Sequence, residues 1–214
     1  IIESGGKLEG TQGTTMQFDK NLVLASGSIL HLELGTESDQ ALFSVGGDLT
    51  LKTTINVSSI GGFGAGTYRI FDYTGNLVNK LTVNDDVTFG TVPSGISATD
   101  FTLATSNANQ ISILNTAGVK VNVWDGSSPG GGSVSGGSGI WNTNSNNWTE
   151  PSGIATNPWT TDEFALFQTL GGTVTIDNTA GQVSASGMQF AVDGYKVEGQ
   201  PLVVHTSTGD TPII

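Results

Sequence analysis

Paired acidic residues are the side chains of this 214-residue chain whose types and spacing come nearest to a catalytic pattern: Asp85–Asp86, Asp162–Glu163, and Glu37 with Asp39. Two carboxyls facing each other across a cleft hydrolyse glycosidic bonds, one as acid and the other as nucleophile or base. A polysaccharide lyase would also need basic groups to neutralise and deprotonate a uronate. The chain has one arginine, Arg69, and two histidines, His31 and His205, far apart in sequence. That machinery is hard to assemble here, and the pairs read as solvated turn residues. A nucleophilic site needs a hydroxyl beside a base oriented by an acid. The run LVVHTSTGD (202–210) holds His205, Ser207 and Asp210, but His205 falls at an alternating strand position where packing or exposure accounts for it. No Gly-Asp-Ser motif occurs. No catalytic residue is therefore expected.

Metal and ligand sites are equally sparse. A calcium loop needs Asp at alternate positions with a Gly, whereas NTNSNN (142–147) offers oxygens without a carboxylate. No metal site and no cofactor is expected. The sequons NVS (56–58) and NWT (147–149) fit glycan acceptors, but in a chain so rich in Asn and Thr they read as coincidence. The remaining candidates are aromatic. GGSGIWNTNSNNWTEPSGIATNPWTTDEFALF (136–167) sets Trp141, Trp148 and Trp159 in a Gly/Ser/Asn-rich run. Exposed, they would form a platform on which sugar faces stack. Buried, each would remove roughly 150–250 Å² of ring from water and fasten the run to the rest of the fold.

Composition narrows the elements that hold these residues. Glycine contributes 31 residues, charged residues are 12%, and hydrophobic residues are 36%. Ordinary hydrophobicity with low charge argues for a folded chain, with a surface of Thr, Ser, Asn and Gly. Nineteen acidic against seven basic residues give a net charge of −12, which repels nucleic acid. No cysteine is present, which removes disulfides and thiolate sites together. No apolar run of about 20 residues is available to span a membrane as a helix. The start at Ile1, without Met or a leader pattern, suggests a piece of a longer protein.

No apolar stripe of helical period persists, and short strands with period-two alternation recur instead. They include NLVLA (21–25), ILHLEL (29–34), LTLKTTINV (49–57), TYRIFDY (67–73), KLTV (80–83), QISILN (110–115), KVNVW (120–124), GTVTID (172–177) and GMQFAV (187–192). A β-sandwich would use antiparallel hairpins, and Asp193–Gly194 is a hairpin signal. A β-helix would use rungs of roughly 20–25 residues with parallel strands, the same dipeptide marking a corner. The recurring unit G-x-L-x-L/V-x-G favours the β-helix, with about nine rungs at a spacing of about 4.8 Å. SSPGGGSVSGGSG (127–139) has linker composition and places a module boundary near Trp124.

Two blocks carry a family resemblance. GSILHLELGTESDQALFSVGGDLTLKTTINVSSIGGFGAGTYRIFDYTGNL (27–77), continuing through PSGISATDFTLATSNANQISIL (93–114), is the first. VWDG…GGSGIWNTNSNNWTEPSG…NPW followed by FALF…GTVTIDNTAGQVSASGMQFAVDGYKVEGQPL is the second. The chain resembles passenger domains of bacterial autotransporters (type V secretion), the pertactin-like β-helix group. The resemblance implies an all-β, right-handed, single-stranded parallel β-helix with a Gly/Trp-rich side excursion. It implies rungs over 1–124 as the closing part of one passenger repeat, and a new repeat over 125–214 with a Gly/Ser/Trp-rich loop at 126–161. It further implies a non-enzymatic structural or adhesive module on, or released from, the bacterial surface, whose precursor carries a C-terminal outer-membrane β-barrel outside this chain. Partners would be a host-cell or matrix surface, or the same protein on another cell. A carbohydrate-binding module on the Trp-rich loop, or a β-helical polysaccharide lyase or hydrolase, are the alternatives. Lack of cysteine suits a chain that must cross an oxidising periplasm unlocked.

Overall fold

Leucines at every second position over 22–24 and 30–34, with Val23, His31 and Glu33 between them, set the inner face of a strand in the first sheet. In the computed structural model, which describes residues 1–79, 81, 86–105, 107–116, 118–126, 128–151 and 153–205, the chain divides into two compact units, Ile1–Gly118 and Val119–Ile214. The expected strand at 80–83 lies almost wholly outside the described residues.

In the first unit the strands are β1 (Lys7–Thr11), β2 (Met16–Phe18), β3 (Leu22–Leu34), β4 (Phe43–Val45), β5 (Leu49–Ser59), β6 (Gly66–Tyr73), β7 (Val87–Phe89), β8 (Phe101–Ala104) and β9 (Gln110–Asn115). They form two sheets, β1-β3-β5-β7 and β2-β4-β6-β9-β8. The first is parallel throughout, and so is the second as far as β6. Each coil therefore stacks on the one before it: Leu22 pairs Leu49, Leu30 pairs Ile55, and Phe43 pairs Phe71. Leu24, Leu30, Leu32, Leu34, Leu49 and Phe43 are fully buried on the inner face. Phe18, Phe43 and Phe71 line up inside the stack with centroids 6.4 and 5.0 Å apart. Gly10 of β1 leaves room for them, since a Cβ there would meet Phe43 Cζ at 2.5 Å.

Each coil begins at one corner with an Asn or Asp followed by leucine: Asn21–Leu22, Asp48–Leu49 and Asn76–Leu77. The corner side chains hand hydrogen bonds along the stack. Asp48 N donates to Asn21 Oδ1 at 2.9 Å, and Asn76 N donates to Asp48 Oδ1 at 2.8 Å. Gly47 and Gly75 precede this ladder, where a Cβ would overlap the Asn21 and Asp48 side chains. One polar pair is buried inside: Ser28 Oγ donates to Thr53 Oγ1 at 3.0 Å where β3 and β5 shift register.

Parallel stacking ends at β9, which runs antiparallel to β6 and forms a hairpin with β8. Among the described residues the only helical segment is a single 3-10 turn, Ala98–Asp100, just before β8.

The second unit contains β10 (Val121–Trp124), β11 (Gly139–Trp141), β12 (Trp148–Thr149), β13 (Thr156–Asn157), β14 (Phe164–Phe167), β15 (Thr173–Ile176), β16 (Ser184–Ala185), β17 (Gly187–Phe190), β18 (Lys196–Gly199) and β19 (Val203–Val204). Its parallel faces are β10-β14-β17, β11-β15-β18 and β16-β19. Asp193–Gly194 is a corner: β17 and β18 belong to different sheets, and Gly194 takes φ +87°. Val121 pairs Phe164, 43 positions on, whereas Phe164 pairs Gly187, 23 positions on. The extra length of the first coil is the Trp-rich excursion. It carries its own strands, β12 and β13, which add antiparallel to the edge of β10.

The described residues are thus nearly all-β, each unit built of parallel solenoid coils, with about seven coils in all rather than nine. The difference comes from loops that lengthen individual coils, as at Thr53 to Val87 and Val121 to Phe164.

Candidate functional site

The three candidate tryptophans come together in the second unit. Trp141 ends β11 and Trp148 opens β12, both fully buried, and Trp159 follows β13 at 3% exposure. Their rings pack at 4.9 Å (Trp141–Trp148), 4.9 Å (Trp141–Trp159) and 4.4 Å (Trp148–Trp159). Two further rings complete the cluster. Trp124 of β10 lies edge-on to Trp148 at 5.0 Å, and Phe167 of β14 touches Trp124, Trp141 and Trp148 at 5.5–6.0 Å. Phe167 then stacks on Phe190 of the next coil at 4.8 Å, which carries the aromatic column into the solenoid interior. Edge-to-face and offset rings at these distances add stabilisation beyond the burial of their area.

Polar ends are handled unequally. Trp124 Nε1 donates to Gly137 O and Trp159 Nε1 to Ser184 O, both at 2.8 Å. The indole N–H groups of Trp141 and Trp148 have no hydrogen-bond partner among the described residues. Glycine makes the packing possible: a Cβ at Gly126 would overlap the Trp124 ring, and one at Gly139 would meet Trp124 Cζ2 at 2.8 Å.

The segment of linker composition is held in place by one buried carboxylate. Asp125, fully buried, accepts from Ser135 N at 2.7 Å, Ser135 Oγ at 2.6 Å and Gly130 N at 3.1 Å. Gly130, Gly132, Gly136 and Gly137 take positive φ there, which lets the chain wrap around a single acceptor group. Sequence reasoning missed Trp124 as the fourth ring and Asp125 as the anchor. Their adjacency in Trp124–Asp125–Gly126, at the head of the Gly/Ser run, is the signal that pointed to both.

Of the carboxylate pairs, Asp162 and Glu163 turn to different partners. Asp162 accepts from Ser184 Oγ at 2.7 Å and lies 3.8 Å from His205 Nε2, at 57% exposure. Glu163 turns inward, pairs with Lys120 Nζ at 2.6 Å and accepts from Asn122 Nδ2. Glu37 is half-buried, and desolvation raises its pKa, whereas Asp39 is exposed. Asp86 lies 3.7 Å from Lys52 Nζ, and its neighbour Asp85 is outside the described residues. Ser207 and Asp210 are also outside them, so of that cluster only His205 has a described place. Among the described residues no group of three or more His, Asp or Glu could hold a metal ion. The amides of both sequons are engaged: Asn147 Nδ2 donates to Ile140 O at 2.6 Å, and Asn56 Oδ1 accepts from Thr91 N at 2.8 Å. Burial pushes the Tyr195 phenol up to about 12, and its hydroxyl donates to Gln168 O at 2.9 Å. Chemically, the assembly is an aromatic core in which Trp124, Trp159 and Tyr195 commit their polar ends to backbone oxygens.

No protein-family model and no solved structure matches the chain. The chain is similar to the adhesin BmaC autotransporter of Brucella suis biovar 1 (strain 1330). The two are 39% identical over 183 residues, which cover 79% of this chain and 5% of that protein. The chain thus spans a small fraction of its relative's length. The chain is thus a homologue of an autotransporter adhesin that folds as a parallel β-solenoid, consistent with an autotransporter passenger domain.

Proposed function

We propose that the chain is a non-catalytic structural and adhesive segment of an autotransporter passenger, displayed on or released from a bacterial surface. The observation that carries this reading is the 39% identity to an autotransporter adhesin. The non-catalytic half is supported by the acidic pairs. Asp162 and Glu163 engage separate partner sets, Ser184 for the first and Lys120 with Asn122 for the second. The Trp-rich segment acts in this reading as a fastening. A sugar platform would need an open ring face, and Trp159 at 3% is the most exposed of the three candidates.

In the same reading residues 1–124 close one passenger repeat and 125–214 open the next, a reading supported by the antiparallel hairpins at β8–β9 and β12–β13. The partners are a host-cell or matrix surface, or the same protein on another cell. A C-terminal outer-membrane barrel in the precursor would anchor the passenger.

The test is retention of beads coated with the purified chain on cultured epithelial monolayers and on matrix-coated wells. Retention well above that of beads coated with the heat-unfolded chain is expected, and equal retention would overturn the adhesive reading. Incubation with a panel of acidic and neutral polysaccharides should release no product. Turnover that disappears in Glu163→Gln would overturn the non-catalytic one.

A further inference from the structure

The stretch from Asn142 to Asp162 does more than bury rings, because of where its backbone goes. β10 is flanked by β14 on one edge and by β12 on the other, and these two neighbours run in opposite senses. On the β12 side Val123 pairs Thr149, Trp124 pairs Trp148, and Asp125 N donates to Asn147 O at 2.9 Å. β11, the other strand of the first coil, has β15 on one edge and, among the described residues, no strand on the other. There the side chain of Asn147 takes over, its Nδ2 donating to Ile140 O. One short segment therefore closes the first coil on two of its faces.

The closure is lightly built. β12 and β13 are two residues each. The turn between them is held by Glu150 Oε1, which accepts from Ile154 N at 3.0 Å and Ala155 N at 2.9 Å, and by Thr149 Oγ1 donating to Ala155 O at 2.8 Å.

We propose that Asn142–Asp162 is a terminal cap: it stands where a preceding coil would stack, and it keeps the β10 edge from pairing with a second copy of this chain. An uncovered strand edge is a template for another strand, and solenoids need terminal caps to stay soluble. The occupant is a second copy because loss of the cap bares the same β10 edge on each chain, although β10 carries its tryptophan and β-branched residue in the reverse order to β12. The edge now accepts a tryptophan next to a β-branched residue, Trp148–Thr149, in antiparallel register. β10 itself presents a β-branched residue next to a tryptophan, Val123–Trp124. Two uncapped copies could pair their β10 edges antiparallel, with Val123 opposite Trp124 in both directions. This inference rests on the fold and stands apart from the adhesive reading.

The experiment compares the full chain with Glu150→Ala, which removes the shared acceptor of two turn N–H groups, and with Thr149→Pro, which breaks the β12 strand. Molar mass is measured by light scattering over about a hundredfold range of concentration, with far-UV circular dichroism and tryptophan emission on the same samples. The expected result is a β spectrum like the parent's, red-shifted emission, and a mass that climbs toward twice the parent's at the same concentration. If Thr149→Pro unfolds, Glu150→Ala alone decides. A folded Glu150→Ala chain with red-shifted emission and the parent's mass at every concentration overturns the proposal. So does an association that persists when Val123→Pro, which spoils the β10 edge, is added to Glu150→Ala.

Discussion

Trp124 and Trp148 are both fully buried and in contact, yet their indole N–H groups are treated differently, and this gives a sharp comparison. Replacing either by Phe removes a similar volume from the same cluster, so the cavity contributions should nearly cancel. Trp124→Phe also strands Gly137 O, which loses its 2.8 Å donor inside the protein. Leaving one buried polar group unsatisfied costs about 1–3 kcal/mol. Trp148→Phe strands nothing, because Trp148 Nε1 has no partner among the described residues, and it removes a buried unpaired donor. Trp124→Phe should therefore be the more destabilising of the two by about 1–3 kcal/mol. With a urea slope of about 1.5 kcal/mol/M, that is a midpoint difference of roughly 0.7–2 M. The assay is urea unfolding followed by intrinsic fluorescence. All four tryptophans lie in the second unit, and each variant keeps three reporters there. If Trp148→Phe proves equally or more destabilising, the assignment of hydrogen bonding as the deciding difference is refuted.

Three other outcomes follow from the same geometry. Gly10→Ala drives a methyl to 2.5 Å from Phe43 Cζ and should destabilise the first unit by about 1–3 kcal/mol, seen as a lower midpoint in circular dichroism. Asp125→Ala removes the acceptor for Gly130 N and for Ser135 N and Oγ. It should speed amide exchange over 128–137 at least about tenfold, since several charge-assisted bonds are lost, and unchanged exchange would contradict the anchoring role. Burial raises the Glu37 pKa above its ordinary 4.5, so Glu37 favours folding fully below 4.5 and this stability is lost as pH rises through the raised folded value. Glu37→Gln should then be more stable than the parent at pH 7, and the gap in melting temperature should close as pH falls toward 4.

Much of the solenoid was legible because its inner face is written locally. Leu30, Leu32 and Leu34 alternate with His31 and Glu33, and the corners announce themselves as Gly47–Asp48–Leu49 and Gly75–Asn76–Leu77. The antiparallel hairpins were not legible. Strands such as β8 and β9 alternate like any other, and direction relative to a neighbour leaves no mark on composition. The aromatic site was half legible. Three tryptophans in a Gly/Ser run signalled packing or binding, but burial depends on Trp124 and Phe167, brought in from strands on either side of the excursion. Likewise, Gly/Ser content suggested free chain over 127–139, because nothing local shows that Asp125 will be buried and aimed at Gly130 and Ser135.

The corner ladder of Asn21, Asp48 and Asn76 has a consequence for how such a chain can change length. Coils differ in size: Leu22 pairs Leu49 at a separation of 27, and Thr53 pairs Val87 at 34. Because each corner side chain clasps the backbone of the next coil at an Asx–Leu step, a residue inserted in an outer loop is absorbed before the following corner. Slippage does not spread, since a shift of one position would turn Leu49 outward and unclasp Asp48 from both neighbours. The corner works like the index tooth of a ratchet. Loops facing the surroundings are free to drift in length and sequence, while the stack behind them stays in step.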